Sequence, residues 1–317
     1  MLIRRTDLAM EAHELWRGGQ KTRRLAGVDS RTVFRRGCRI TSVTVESEEA
    51  ARALGKPRGR YVTLDLAPLF KNADDALERA ARAVGAELKL LLGGSIHSVL
   101  VAGLGNAAMT PDAIGPLSTG HVLVTRHLGE HPVFSALTAV SVLTPGVLGR
   151  TGIEALEIVR SAVRTVQPDA LIVIDALASR SLSRLCTTVQ LSDTGIVPGS
   201  GVGNHRCALE EKTVGVPVYA IGVPTVVDAA TLTLDVLEEA GKQGVDPAAL
   251  RGHETVMVTT RDIDAQIREL ARIIGYGIDL ALQPLSFSEL CALMGQRVQK
   301  FSSIHNLFTS DSNFSQD

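Results

Sequence analysis

Short apolar runs alternate along this chain with amphipathic stretches of helical length. Residues 99–102 and 170–174 have the length and composition of buried parallel strands. Apolar residues between positions 73 and 92 recur at helical spacing, and a second long helix is predicted at 262–282. Strands that alternate with helices are typical of the α/β class. The pattern therefore predicts a mostly parallel sheet with helices on both faces.

The first part of the chain has a different pattern. It predicts a short helix at residues 8–15, one or two strands at 33–45 and a further strand at 61–66. We expect a small mixed extension, antiparallel to the main sheet.

Later in the chain, further strands are predicted at 121–127, 141–146, 189–195 and 216–222. Thr225 is predicted to cap a helix at 226–240, and another helix is predicted at 286–298.

One candidate for chemistry follows the strand that starts at Ser98. Gly103 and Gly105 allow a sharp turn with an open backbone, and Thr110-Pro111 predicts the start of a helix. Asp112 then lies in the first helical turn, where the helix dipole favours a carboxylate. An acidic residue in a first helical turn usually only stabilises the start of the helix, so this pattern alone does not establish a catalytic role.

A second acid strengthens that candidate. Asp175 ends the apolar strand 170–174, and ligands of open α/β sheets bind at the carboxyl ends of the strands. Asp112 and Asp175 are therefore expected on the same rim. Two such acids could share one proton and activate a water, or they could hold a metal ion.

Other motifs carry less information. The glycine loop lacks the third glycine and the ribose-binding acid of a dinucleotide site. The letters His127-Leu-Gly-Glu-His131 match a zinc-peptidase motif, but Gly129 and Pro132 favour a loop. The stretch 196–204 is rich in glycine and proline, and it is either a connection or a segment that approaches substrate.

Composition limits the possible functions. The chain has 317 residues, 45% of them hydrophobic, with a net charge of −1 and only 3% aromatic residues. Neither a nucleic-acid surface nor a membrane span is indicated, and no secretory signal is evident. The four cysteines form no C-x-x-C pair, so we expect reduced thiols in a cytoplasmic protein rather than a zinc site.

Several longer motifs together resemble one known family. They cover most of residues 1–235, and the match weakens after about residue 240. They include Arg5-Thr-Asp-Leu-Ala9, Thr110-Pro-Asp-Ala-Ile-Gly-Pro116, Ile174-Asp-Ala-Leu-Ala-Ser-Arg-Ser181, Pro198-Gly-Ser-Gly-Val-Gly-Asn204 and Ile221-Gly-Val-Pro-Thr-Val-Val-Asp-Ala229. In these stretches the chain resembles the germination proteases of spore-forming bacteria, endopeptidases that degrade small acid-soluble spore proteins.

The resemblance implies an atypical aspartic peptidase without a cofactor. The family's two proposed catalytic aspartates correspond to Asp112 and Asp175. Its fold is similar to that of hydrogenase-maturation peptidases, in which the corresponding acids contact a metal. A metal-dependent peptidase of that type therefore remains an alternative, as does a non-enzymatic nucleotide-binding α/β module.

The resemblance also implies a homotetrameric zymogen of the forespore and spore core that cleaves itself. The family's sites have an acid before the scissile bond, then a large apolar residue and alanine, which fits Asp7-Leu8-Ala9. Residues 1–7 would form the propeptide, residues 8–300 a single peptidase domain and residues 301–317 a loose tail. Small acid-soluble spore proteins are the expected partners, with no direct nucleic-acid or membrane contact.

A mechanism follows as a hypothesis. Asp112, at a helix start, is the better candidate for the ionised base, and Asp175, in a buried strand, for the protonated acid. Backbone N–H groups could stabilise the oxyanion, and basic side chains could meet an acidic substrate residue. The backbone and loop candidates are Gly105, Asn106, Gly199, Ser200 and Gly201, and the basic candidates are Arg180, Arg126 and Arg184.

Overall fold

The computed structural model describes residues 4–19, 25–71, 75–129, 131–199, 207–241 and 256–295. Nine strands in these ranges form one sheet, with helices packed against it. The strands are β1 (Val28–Arg35), β2 (Cys38–Val45), β3 (Gly59–Asp65), β4 (Ser98–Gly103), β5 (Ala139–Leu143), β6 (Ala170–Ser179), β7 (Thr188–Ser192), β8 (Val218–Asp228) and β9 (Met257–Val258). The α-helices are α1 (Ala9–Gly19), α2 (Glu48–Leu54), α3 (Ala76–Leu92), α4 (Ile114–Thr119), α5 (Leu148–Thr151), α6 (Ala155–Val166), α7 (Glu211–Val214), α8 (Ala229–Glu239), α9 (Ile263–Leu282) and α10 (Phe287–Gly295).

The sheet has a parallel centre and an antiparallel side. Its order is β1-β2-β3-β7-β8-β6-β4-β5, with β9 paired to β8. Parallel pairing joins β5, β4, β6 and β8, whereas the other pairs are antiparallel. The α/β class and the antiparallel N-terminal extension are confirmed. The extension reaches the parallel centre through β7, which makes the sheet mixed.

Helices cover both faces of the central strands, as the sequence pattern predicts. Alternate residues of a strand point to opposite faces. In β4, Val99 and Val101 pack with α3 and α9, whereas Leu100 and Ala102 pack with α6. The apolar run of β4 is therefore continuous because both of its faces are buried.

A close approach at the end of β4 sets the position of α4. A Cβ atom on Gly103 would lie 2.3 Å from the backbone oxygen of Gly115 in α4. Only glycine therefore lets the helix pack this closely on the strand. The tight packing fixes the short segment between them, which contains Asp112.

The predicted boundary after residue 222 is wrong. Strand β8 continues to Asp228, and α8 starts only at Ala229, capped by an Asp228 side chain that accepts the Thr231 N–H at 2.8 Å. Thr225 lies inside the strand. Its β-branched neighbours favour a strand, and β8 stays paired with β6 as far as Val227.

Two further local predictions are also wrong. Residues 121–127 form a loop and the start of a 3-10 helix (Arg126–Leu128), because the Leu123 N–H is taken by the side chain of Asp279 in α9. The letters Thr151-Gly-Ile-Glu154 predict a capping box that opens a helix to Val166, but Thr151 ends α5, and α6 starts at Ala155 without a side-chain cap. The predicted tail at 301–317 lies outside the described residues. No described helix has the length and apolar character needed to cross a membrane.

Candidate active site

Asp175 lies inside β6 rather than at its end, which corrects the sequence prediction. The strand continues because β8 stays beside it, whereas its pairing with β4 ends at Ile174 opposite Gly103. Asp175 is therefore the first residue of β6 beyond the end of β4. Its side chain is 5% exposed, and its Oδ1 accepts the N–H of Ala176 at 3.0 Å.

Asp112 is the last residue of a 3-10 helix (Thr110–Asp112) that precedes α4. Met109, not Thr110, takes the N-cap position, because the Thr110 hydroxyl donates to the carboxylate of Asp264 in α9 at 2.7 Å. The Oδ2 atom of Asp112 accepts the backbone N–H of Asn106 at 2.7 Å. The carboxylate is thus held against the glycine loop that follows β4.

Gly105 makes this contact possible. Its φ of +108° lies in a region that residues with a side chain rarely adopt. A Cβ atom there would lie 2.0 Å from the backbone oxygen of Asp112. The loop can therefore close on Asp112 only with glycine at this position.

The two acids line one cavity of about 290 Å³. Asp7, from the N-terminal segment, lines it with them, as do Gly105 and Gly199. The structure thus brings together five of the residues singled out by the sequence, from four distant parts of the chain. Ser200 and Gly201 lie outside the described residues. The amide of Asn106, predicted as an oxyanion donor, is already used by Asp112.

The N-terminal segment is bound by its backbone against β6. The N–H of Asp7 donates to the carbonyl oxygen of Ala178 at 2.8 Å, and the Ala178 N–H donates back to Asp7 Oδ2, also at 2.8 Å. Leu8 is fully buried, and Ala9 begins α1. The predicted processing site Asp7-Leu8 is therefore held at the cavity that contains both acids.

Lys56 holds the same segment from the other side. Its Nζ donates to the backbone oxygen of Thr6 at 3.3 Å. Burial lowers the pKa of Lys56, and the carboxylates of Asp7 and Glu11 nearby oppose that effect. The letters Gly55-Lys-Pro-Arg-Gly59 predict only a turn, so the contact of Lys56 with the N-terminal segment could not be predicted.

Two of the three arginines predicted to bind substrate form ion pairs within the protein. The Arg180 guanidinium forms an ion pair with Asp235 at 2.5 Å, and Arg184 contacts Glu11 at 2.9 Å and Glu14 at 3.1 Å. Arg126 is exposed on the 3-10 helix Arg126–Leu128. Arg180 is not among the described residues that line the acid cavity. Its role in this structure is to connect β6 with α8.

Two polar side chains of the site were not found from the sequence. The hydroxyl of Thr225 is fully buried at the cavity and has no hydrogen-bond partner among the described residues. Gln190 in β7 contacts the backbone on both sides of Leu8, at Asp7 and Ala9. Gln190 lies in a stretch that predicted an ordinary strand, and Thr225 was predicted only to cap a helix, so no local signal marked either residue as part of the site.

The donor set does not fit a metal site in the described part of the chain. No three His, Cys, Asp or Glu side chains converge there closely enough to hold an ion. Asp7, Asp112 and Asp175 line one cavity, but their carboxylates do not converge closely enough to supply the three protein ligands that catalytic zinc sites use. Around His127 and His131 the described residues form 3-10 turns, so the helix that the zinc-peptidase motif needs is not found there.

Comparison with known proteins identifies the family. A family model for germination proteases matches residues 5–243. A germination protease of Caldanaerobacter subterraneus is 42% identical over 311 residues, which cover 88% of this chain and 94% of that protein. The chain belongs to the germination protease family. Its motif-based resemblance is thereby confirmed, and membership makes it a peptidase.

Other germination proteases show the same relationship. One from Clostridium perfringens is 40% identical over 88% of this chain and 95% of its own length. One from Bacillus cereus is 42% identical over 74% of this chain and 66% of its own length. Among solved structures, a hydrogenase maturation protease of Thermococcus kodakarensis matches with a TM-score of 0.35 and 15% identity, over 61% of this chain and 99% of that one.

Proposed function

We propose that this protein is an endopeptidase that degrades small acid-soluble spore proteins during germination, with Asp112 and Asp175 as its catalytic pair. Membership of the germination protease family supports the reaction class. The observation that carries the assignment of the pair is that both acids line one cavity together with Asp7. The proposed setting is a homotetramer in the forespore and spore core, in keeping with the family.

The two carboxyl groups have different surroundings, which suits different roles. Each carboxylate accepts one backbone N–H, a hydrogen bond that stabilises the charged form, but Asp112 is only half-buried. Asp175 is almost fully buried, and burial favours the neutral form. Asp112 therefore acts as the base that takes a proton from water, and Asp175 as the acid that gives one to the leaving amine.

The reaction is hydrolysis of a peptide bond. The water oxygen bonds to the carbonyl carbon while its proton passes to Asp112. The carbon–nitrogen bond then breaks, and the new amine receives the proton of Asp175. Backbone N–H groups of the loops at Gly105 and Gly199, which line the cavity, are the proposed stabilisers of the oxyanion.

The same site would process the protein's own N-terminus. Residues 1–7 are the proposed propeptide, and residues 8–300 the peptidase domain. What supports a cut at Asp7-Leu8 is that Asp7 lies at the acid cavity and is fixed there by two hydrogen bonds to Ala178.

Mass spectrometry of the intact protein tests this proposal. The full chain is incubated at mildly acidic pH beside Asp112→Asn and Asp175→Asn, and cleavage of an added small acid-soluble spore protein is measured in parallel. We expect loss of residues 1–7 only in the unsubstituted chain, and activity at least about 1,000-fold lower in both variants.

Asp169→Asn is the matched control. Asp169 lies just before β6, at its opposite end, and its carboxylate accepts the N–H groups of His97 and Ser98 at 2.8 and 2.9 Å. It should self-process like the unsubstituted chain. Full activity in a folded Asp112→Asn or Asp175→Asn variant would refute the pair, and inhibition by a chelator that added metal reverses would favour the metal-dependent alternative.

A further inference from the structure

Gln190 spans the Asp7–Leu8 peptide bond with one side chain. Its Nε2 donates to the carbonyl oxygen of Asp7 at 3.3 Å, and its Oε1 accepts the backbone N–H of Ala9 at 2.8 Å. Gln190 is only 8% exposed, so both hydrogen bonds are shielded from bulk water. One amide group therefore fixes the backbone before and after Leu8.

The sheet places Gln190 in line with Asp175. Gln190 in β7 is in register with Gly222 in β8, and Gly222 is in register with Asp175 in β6. Side chains of residues in register on neighbouring strands point to the same face of a sheet. Gln190 and Asp175 therefore share a face. The residue between them is Gly222, and the side chain of Leu177 in β6 covers it.

Asp7 lies between these two groups. It lines the acid cavity with Asp112 and Asp175, and it also lines a second cavity of about 580 Å³, to which Gln190 contributes. The carbonyl that Gln190 contacts thus belongs to a residue that shares a cavity with the two acids. Hydrolysis needs a donor at the carbonyl oxygen, which Gln190 supplies, and a base for water, for which those two acids are the candidates.

We propose that Gln190 is the positioning residue of self-cleavage. Its amide holds the Asp7–Leu8 bond at the acid cavity and donates to the oxygen on which negative charge develops. Water adds to the Asp7 carbonyl carbon, the bond to the Leu8 nitrogen breaks, and the products are a carboxyl group at Asp7 and an amine at Leu8. The inference rests on the proposed self-processing and adds the group that selects the bond.

Two substitutions separate the donor from the acceptor. Gln190→Glu keeps an oxygen for the Ala9 N–H but cannot donate to Asp7 as a carboxylate, whereas Gln190→Leu removes both functions at similar size. The control is Gln283→Leu. Gln283 is also buried, and it likewise holds a backbone segment, with 3.0 Å hydrogen bonds to the N–H and the carbonyl oxygen of Thr138.

The measurement is the rate and position of N-terminal cleavage in the full chain, read by intact mass, with the thermal midpoint of each variant recorded. We expect both Gln190 variants to cleave at least about 100-fold more slowly, the loss typical of one oxyanion donor. We also expect their residual cuts to spread to neighbouring bonds. Gln283→Leu should cleave at the unsubstituted rate even where its midpoint falls.

Three other outcomes are possible, and each contradicts a different part of the proposal. Cleavage of the Gln190 variants at the normal bond and rate overturns it and leaves the proposed self-processing intact. Slowing of all three variants in proportion to lost stability assigns Gln190 a structural role and overturns it too. Absence of cleavage at Asp7-Leu8 in the unsubstituted chain refutes the self-processing itself.

Discussion

At the scale of single residues, the acid cavity depends on positions where the backbone comes unusually close to a carboxylate. Gly105 approaches Asp112 so closely that a methyl group would overlap its carbonyl oxygen. Asn106 then uses its N–H to hold the carboxylate. The glycine loop therefore sets the orientation of Asp112. A substitution in this loop should change that orientation without unfolding the protein.

Gly105→Ala tests that dependence. The substitution adds about 1–3 kcal/mol of backbone strain and forces the loop away from Asp112. We expect protease activity to fall at least about 100-fold while the protein still folds. Activity assays and urea unfolding measure the two effects.

Gly215→Ala is the control for backbone strain. Its φ is +89°, and no atom lies within 4 Å of an added Cβ. It should lose a similar free energy of unfolding but keep its activity. Equal activity loss in both variants would show that general destabilisation, not the position of Asp112, explains the effect.

The sequence predicted those residues of the site that have local signals. Asp112 follows a glycine loop and a helix start, and Asp175 follows a run of apolar residues, so the sequence alone marks both as candidates. Gln190, Lys56 and Thr225 could not, because their roles depend on which distant backbone or cavity they meet. Arg180 has the charge to bind an acidic substrate residue, but Asp235 in α8 pairs with it.

At the scale of elements, tertiary partners decide where strands end. Residues 121–127 have the apolar pattern of a strand, yet the Leu123 N–H meets the buried carboxylate of Asp279 instead of a neighbouring strand. Strand β8 likewise runs past its predicted end because β6 continues beside it. The long helices were predicted well, since the periodic apolar face of α3 or α9 is a property of the local sequence.

Asp279→Ala tests how strongly α9 holds this loop. Asp279 is fully buried, and its two oxygens accept the Leu123 N–H at 3.0 and 3.1 Å. Its removal leaves a buried N–H without that partner, and we expect the free energy of unfolding to fall by about 2–3 kcal/mol. Glu269 lies in the same helix and its side chain is 45% exposed, so urea unfolding of Glu269→Ala should differ from the unsubstituted protein by less than about 0.5 kcal/mol. A loss at Asp279 no larger than at Glu269 would contradict this role.

At the scale of the whole molecule, the core on the α3 and α9 side runs continuously from the antiparallel extension to the parallel centre. Cys38 in β2 and Cys186, just before β7, both belong to it and are buried, whereas Cys207 is exposed. Burial is the main cause that raises the pKa of each of these two thiols to about 11. The reactivity of these two thiols therefore reports on how well the core excludes solvent.

Alkylation with iodoacetamide at pH 8 measures this exclusion of solvent from the core. We expect rapid labelling of Cys207 and none of Cys38 or Cys186 in the native protein, because the thiolate is the reactive form and burial suppresses it.

The raised pKa values of Cys38 and Cys186 also make stability depend on pH. In the unfolded chain these thiols ionise near the ordinary pKa of 9.0, whereas in the native protein they stay protonated up to about pH 11. Unfolding then releases protons, so stability is full below pH 9 and falls as the pH rises from about 9 to 11. Cys38→Ala with Cys186→Ala should flatten that slope, and an unchanged slope would show that other groups control the alkaline limit.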